Sequence, residues 1–201
     1  MDPSFFADTY ETERLKTLSV WSQFADADLD VRIEPRARTP HEHMVHQCVS
    51  EDAWMRTMLG IDVGRPALPA QETRLAFLEH YAAVSALRLA ALRGRPEAWF
   101  DEPTRFFDVP RSRAWVLLRR LTHSAHHRGQ LTILLRLRGH ALYSTYGPTA
   151  DTGGLLAQGA PVVYRYASVE DLLAAERAGG RRPPLRGPGP KPPTERPGAG
   201  A

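Results

Sequence analysis

The chain has 201 residues, enough for one domain with a substantial core and too few for a comfortable second. Its hydrophobic content of 42% and charged content of 24% are those of a soluble globular protein, and no run of eighteen apolar residues exists to cross a membrane. A pI near 9.3 suggests nucleic acid. The basic charge, however, is concentrated in residues 180–201, where five Arg and Lys against Glu195 give a net of +4; the remainder is not basic, so no folded nucleic-acid-binding face is expected.

The N-terminus lacks the basic-then-apolar pattern of a secretory leader. Cys48 is the single cysteine, so no intrachain disulfide can form and a reducing cytoplasm is the expected compartment. Residues 4–24 read as the first helix, with Phe5, Tyr10, Leu15, Leu18 and Trp21 as an apolar stripe. Residues 26–39 read as a connector. Thr39 and Pro40 then open a second helix over 40–60, a capping hydroxyl followed by proline at the first helical position. His41 and His43 fall in its exposed first turn and are expected to be solvated, whereas His46 lies well inside it. Cys48, two residues on, reads as a small core filler.

Gly64, Pro66 and Pro69 mark a loop, and residues 71–93 read as a third helix rich in leucine and alanine. His80 on it is expected to make a partly buried polar contact. Residues 95–110 hold three prolines beside Trp99, Phe100, Phe106 and Phe107, so this loop is expected to pack down on one end of the helices and shape a pocket there.

The fourth helix, from about Ser112 to Gly139, contains His123, His126 and His127. Positions i and i+4 lie only about 40° apart on a helix, so His123 and His127 can aim two imidazoles at one point, as a divalent metal requires. A His123–His126 pair is also open and splays more. His46 on the second helix is the candidate third donor. Glu51 follows it by five positions, about 140° round the helix, and reads as an orienting group or ion-pair partner before it reads as a catalytic acid or base. Arg128 and Gln130 read as a solvated charge and a helix-interface hydrogen bond, or else as donors behind the ligands.

Beyond Gly139, Tyr143 and Tyr146 offer phenol groups in a segment that either straps the surface or folds back to line the site or a dimer contact. Residues 162–166 read as a short strand and 168–178 as a short helix capped by Ser168. From Gly180 onward twelve of 22 residues are proline or glycine, and disorder is expected.

The pattern His46-x4-Glu51-x2-Trp54, followed far downstream by His123-x3-His127-Arg128-Gly129-Gln130, resembles the DinB/YfiT-like family of small bacterial helical proteins. (That family is unrelated to the DNA polymerase sharing the name.) The resemblance covers about residues 4–140 and implies an all-α four-helix bundle in which three histidines hold a divalent metal in an open-sided site. Carried over by position, His46, His123 and His127 become the ligands. The implied organisation is a bundle over 1–140, an extension over 141–179 packed on it, and a disordered tail over 180–201.

A three-histidine site with a free coordination position suits an enzyme, a transferase or hydrolase acting on an unidentified small molecule. Zinc is the first choice, and nickel, iron, cobalt, copper or manganese also fit. Some members of the family are thiol-dependent S-transferases or isomerases, which implies a low-molecular-weight thiol as cosubstrate. Glu51, Arg128, Tyr143 and Tyr146 are the candidate catalytic groups. Two other readings compete: a non-catalytic metal-binding, damage-inducible stress-response protein, and a scaffold whose basic tail recruits an acidic partner. The resemblance also implies a homodimer through helix faces.

Overall fold

The computed structural model describes residues 3–188. Among them the chain is mostly helical, with four long helices, two short ones and a single two-stranded hairpin. Helix α1 runs over Pro3–Trp21, and the connector after it contains one 3-10 turn at Asp26–Asp28. Helix α2, Pro40–Ala53, starts as its sequence dictates. The Thr39 hydroxyl accepts from the Glu42 amide at 3.1 Å, the Glu42 carboxylate accepts from the Thr39 amide at 2.8 Å, and Pro40 fills the first position.

This helix does not continue as a regular α-helix to Gly60. It widens into one π turn over Trp54–Met58, closed by a bond from the Leu59 amide to the Trp54 carbonyl at 3.2 Å. Gly60 then reverses the chain at φ +65°, a conformation that a side chain would strain. Helix α3, Arg74–Arg93, is capped by Thr73, and α4 is the short Glu97–Asp101.

Strands β1, Pro103–Phe106, and β2, Val109–Ser112, pair antiparallel about the Phe107–Asp108 turn, with Pro103 opposite Ser112 and Phe106 opposite Val109. The chain is therefore mostly rather than wholly α, and the proline-marked loop is in part a hairpin. A two-stranded ribbon has only edge strands, so the missing amides of Pro103 and Pro110 cost it little. Ser112 caps α5, Arg113–Leu137, by accepting from the Trp115 amide at 3.2 Å. Helix α6, Val169–Arg177, begins at Ser168, whose hydroxyl accepts from the Asp171 amide at 3.0 Å. The residues read as a strand at 162–166 carry no ladder; a single bond joins the Ser144 amide to the Val163 carbonyl at 3.0 Å.

Helix α1 packs on α3 and α5, α2 packs on α5 and α3, and α6 closes over α1 and α3. The apolar interior falls into two clusters. One gathers Leu18, Trp21, Met44, Phe77, Tyr81 and Leu131; the other gathers Phe6, Tyr10, Met55, Leu89, Phe100 and Leu121. Between them, Glu51 accepts from Tyr10 of one cluster at 2.5 Å and from Tyr81 of the other at 2.9 Å. Arg88 lies against the same carboxylate at 3.2 Å. Burying this charge is tolerated because its oxygens are met by phenols and a guanidinium.

Helix α3 is long and apolar enough to cross a membrane by length and composition, yet half of the relevant stretch is buried inside the protein, as in a core helix. The segment after α5 is tied down through Arg165, whose guanidinium lies 3.1 Å from Glu176, and through Arg74, which meets the same carboxylate at 2.5 Å. Residues 181–188 form no helix or strand. Their backbone nevertheless meets the body: Tyr143 donates to the Pro183 carbonyl at 2.5 Å, and the Gly187 amide donates to the Asp151 carbonyl at 2.8 Å. The rest of the basic tail lies outside the described residues.

Candidate metal centre

Helix α2 delivers His46 and helix α5 delivers His123 and His127, one turn apart on one face. The Nε2 atoms of His46 and His123 lie 3.4 Å apart, and those of His123 and His127 lie 3.2 Å apart. One donor atom from each of the three falls within 4.8 Å of the others. Two nitrogens each about 2.05 Å from a single ion at the tetrahedral angle stand about 3.3 Å apart. Two of the three donor pairs thus have about the separation expected of two ligands on one ion, and the cluster is one that could hold a metal.

Their electrostatics suit donation. Burial lowers the pKa of all three. Beyond burial, Arg120 and then His46 act on His123, bringing it to about 3, and the neighbouring histidines act on His127, bringing it to about 2. Burial followed by Arg38 and Arg120 lowers His46. Each ring is therefore neutral near pH 7, with a lone pair free. The buried Nδ1 of His123 has no hydrogen-bond partner among the described residues, so its ring is held by packing instead. Trp54, at the start of the π turn, lies with its ring centroid 5.2 Å from that of His123.

His43 is not solvated. It is buried, and its Nδ1 lies 3.2 Å from the Nδ1 of His127, on the side of that ring away from His123. Helix α5 passes over the first turn of α2 and encloses a position that the sequence alone places at an exposed end. The available signal was the three-residue step from His43 to His46, which sets both on one face. His126 points outward and meets Gln130 at 2.8 Å, so the His123–His126 pairing is not the one formed, and Gln130 lies on the surface rather than at a helix interface. His80 makes the expected polar contact, 3.2 Å from the Ala67 carbonyl.

The four candidate catalytic groups do not gather at the imidazoles. Glu51 is held by its phenols and Arg88, and it approaches the site through Arg120, whose Nε is 3.9 Å away. Arg120 itself donates to Ser50 at 2.8 Å and to Ser124 at 3.0 Å, with its guanidinium over the Trp54 ring. Arg128 is no solvated charge: it is buried and pairs with Glu13 and the hydroxyl of Thr17. Tyr146 joins that ion pair, while Tyr143 turns to the backbone of the tail. Cys48 is buried, and burial followed by the charge of Glu51 pushes its thiol up, away from the thiolate a nucleophile needs.

Phe106 of β1 packs edge-on to Trp54, centroids 5.1 Å apart, so the hairpin adds to an aromatic wall behind His123. On the other side His46 opens onto a cleft of about 660 Å³. A smaller cavity of about 390 Å³ between α1 and the C-terminal extension includes Lys16 and Tyr164 and none of the clustered histidines.

A mostly helical chain in which three neutral imidazoles from two packed helices converge defines a class of protein with a candidate divalent-metal centre. The DinB family model matches residues 5–154, and the chain belongs to the DinB family. A DinB-like protein from Bacillus cereus ATCC 10987, known from a crystal structure, is similar in fold. Its TM-score is 0.63 at 22% identity, over 70% of this chain and 95% of that one. No curated protein matches the chain.

Proposed function

We propose that the chain is a metal-dependent enzyme in which His46, His123 and His127 hold one divalent ion, and in which α1, α2, α3 and α5 form the four-helix bundle of its family. The observation that carries this reading is the spacing of the three Nε2 atoms, 3.4 and 3.2 Å along the chain of contacts, which matches donors to a common ion. Three protein ligands leave a coordination position for water or substrate, unlike the four-ligand closure of structural zinc. Bound there, an ion acts as a Lewis acid and lowers the pKa of a water or thiol. The protein's own part is to keep the rings neutral, to shield one flank with Trp54 and Phe106, and to leave the His46 flank open.

Zinc is the expected ion, with nickel, iron, cobalt, copper and manganese as alternatives. The reaction class is transfer or hydrolysis on a small molecule, with a low-molecular-weight thiol as a candidate cosubstrate. Cytoplasm is the proposed compartment. Elemental analysis of the purified full chain beside His46→Ala and His123→Ala tests the site. Near-stoichiometric metal in the parent, lost from both variants, supports it; metal absent after reconstitution removes it.

One observation favours a non-catalytic metal-binding role as the second reading. Glu51, the carboxylate nearest the ligands in sequence, is occupied by Tyr10, Tyr81 and Arg88 and is not available as a base. Strong metal-dependent stabilisation with no turnover in screens of thiol transfer and hydrolysis would select it. We also propose that two copies associate through helix faces, since Leu118, Ile133 and Leu137 leave apolar area exposed along α5. A monomeric mass in solution removes that proposal.

A further inference from the structure

The cleft beside His46 has a chemical character of its own. The connector between α1 and α2 brings Arg32, Arg36 and Arg38 to one side of it, while Val45, His46 and Val49 of α2 form the other. Two of the three guanidiniums are already matched. Arg32 lies 2.5 Å from Glu42, and Arg36 lies 2.9 Å from Glu34. The acids of the rim are likewise engaged, Glu42 by Arg32 and by the Thr39 amide, and Glu72 by His41 at 2.6 Å.

Arg38 differs. It is exposed and has no hydrogen bond or ion pair among the described residues. It is also close enough to be the leading charge acting on both His43 and His46. Arg38 is thus the one guanidinium of the cleft lining without a direct hydrogen-bonded or ion-paired partner among the described residues, and it stands beside a candidate cation site. A divalent ion on the imidazoles would make this side of the cleft positive, and an anionic ligand on Arg38 would offset it. Guanidinium is suited to this because its fork of N–H groups matches two oxygens of a carboxylate or phosphate. Val45 and Val49 give an apolar floor between the two charged ends.

We infer that this cleft binds a small oxyanionic molecule, a carboxylate or phosphate, with the anion on Arg38 and the carbon skeleton lying over Val45 and Val49 toward His46. The inference deepens the metal-enzyme reading and rests on it only for what the far end of the molecule meets.

The test is an NMR titration of the full chain with inorganic phosphate and, separately, acetate, metal-free and zinc-loaded, for the parent, Arg38→Gln and Arg36→Gln. In the parent, saturable amide shifts are expected at residues 36–49. Arg38→Gln should weaken them about fivefold, the scale of one exposed charge pair, with zinc content unchanged. Arg36→Gln should leave them as they are. Tighter phosphate identifies a phosphorylated ligand and tighter acetate a carboxylate. Absence of cleft shifts in the parent overturns the inference, as does equal weakening by both substitutions, which would mean diffuse surface charge. Loss of zinc from Arg38→Gln together with the anion also overturns it, since Arg38 would then merely support the imidazoles. Arg38-dependent anion binding in a chain that takes up no zinc keeps the anion site and removes the metal reading.

Discussion

The Nδ1 of His43 lies 3.2 Å from the Nδ1 of His127, although the two residues are 84 positions apart in the chain. A ligand imidazole usually makes a hydrogen bond through its other nitrogen, which fixes the ring and raises its donor strength. His43 is placed to do this for His127. Replacing it by alanine is expected to lower zinc affinity by about 10- to 100-fold, measured by competition with a chromogenic chelator. His43→Asn, which keeps a hydrogen-bonding group, should recover part of the loss. Unchanged affinity in His43→Ala, with thermal unfolding showing an intact fold, would reduce His43 to a core residue.

Metal and fold should be coupled. Zinc held at a hundred times its dissociation constant stabilises a folded state that alone binds it by about 2.7 kcal/mol. For a chain of this size that is a rise of roughly 5–10 °C in Tm. Calorimetry of the full chain with zinc and with a chelator measures the rise, and His127→Ala should abolish it. A Tm indifferent to zinc in the parent contradicts the site.

Glu51 separates structure from chemistry. Glu51→Gln weakens the contacts to Tyr10, Tyr81 and Arg88 while Arg88 keeps Asp52 at 3.0 Å, and it is expected to cost about 1–3 kcal/mol in denaturant unfolding. Metal content should stay near that of the parent, because the carboxylate does not face the imidazoles. Full stability with lost metal would invert this assignment.

The Glu13–Arg128 pair carries a pH signature. Burial alone would raise the Glu13 pKa, but the charge and hydrogen bond of Arg128 override it and hold the carboxyl below its ordinary 4.5. A folded-state pKa below the unfolded one contributes stability above about pH 4.5 that is lost as pH falls through the lower folded value. Glu13→Gln should therefore be clearly less stable than the parent at pH 7, with the gap closing below pH 4. A gap of constant size across pH 3–7 would show that packing, and not charge, makes the difference.

Much of this architecture is legible locally. Thr39-Pro40, Ser112 and Ser168 announce the helices that follow them, because a cap is a contact within three residues. His123 and His127 converge because the helix period alone places them together. The convergence of His46 came from the family pattern, and the spacing of the donors only from the fold. His43 and Arg128 were misread for one reason: each looks like a polar residue bound for water, and each is enclosed by a helix distant in sequence. The hairpin was hidden by Pro103 and Pro110, which read as breakers unless the ribbon is known to have free edges.

The π turn at Trp54–Met58 changes how residue counts translate into position. It holds one residue more than the α-helical path between the same two points, so the stretch beyond it is displaced by one in numbering while its place in space follows the helix before it. His43, His46 and Glu51 precede the turn; Leu59 and Ile61, both buried, follow it. A relative lacking one residue between Trp54 and Gly60 could keep the same imidazoles and the same apolar seat for Ile61 by running straight as an α-helix. A single-residue gap at this point in a family comparison would then record a bulge gained or lost, with the donor set on either side of it intact.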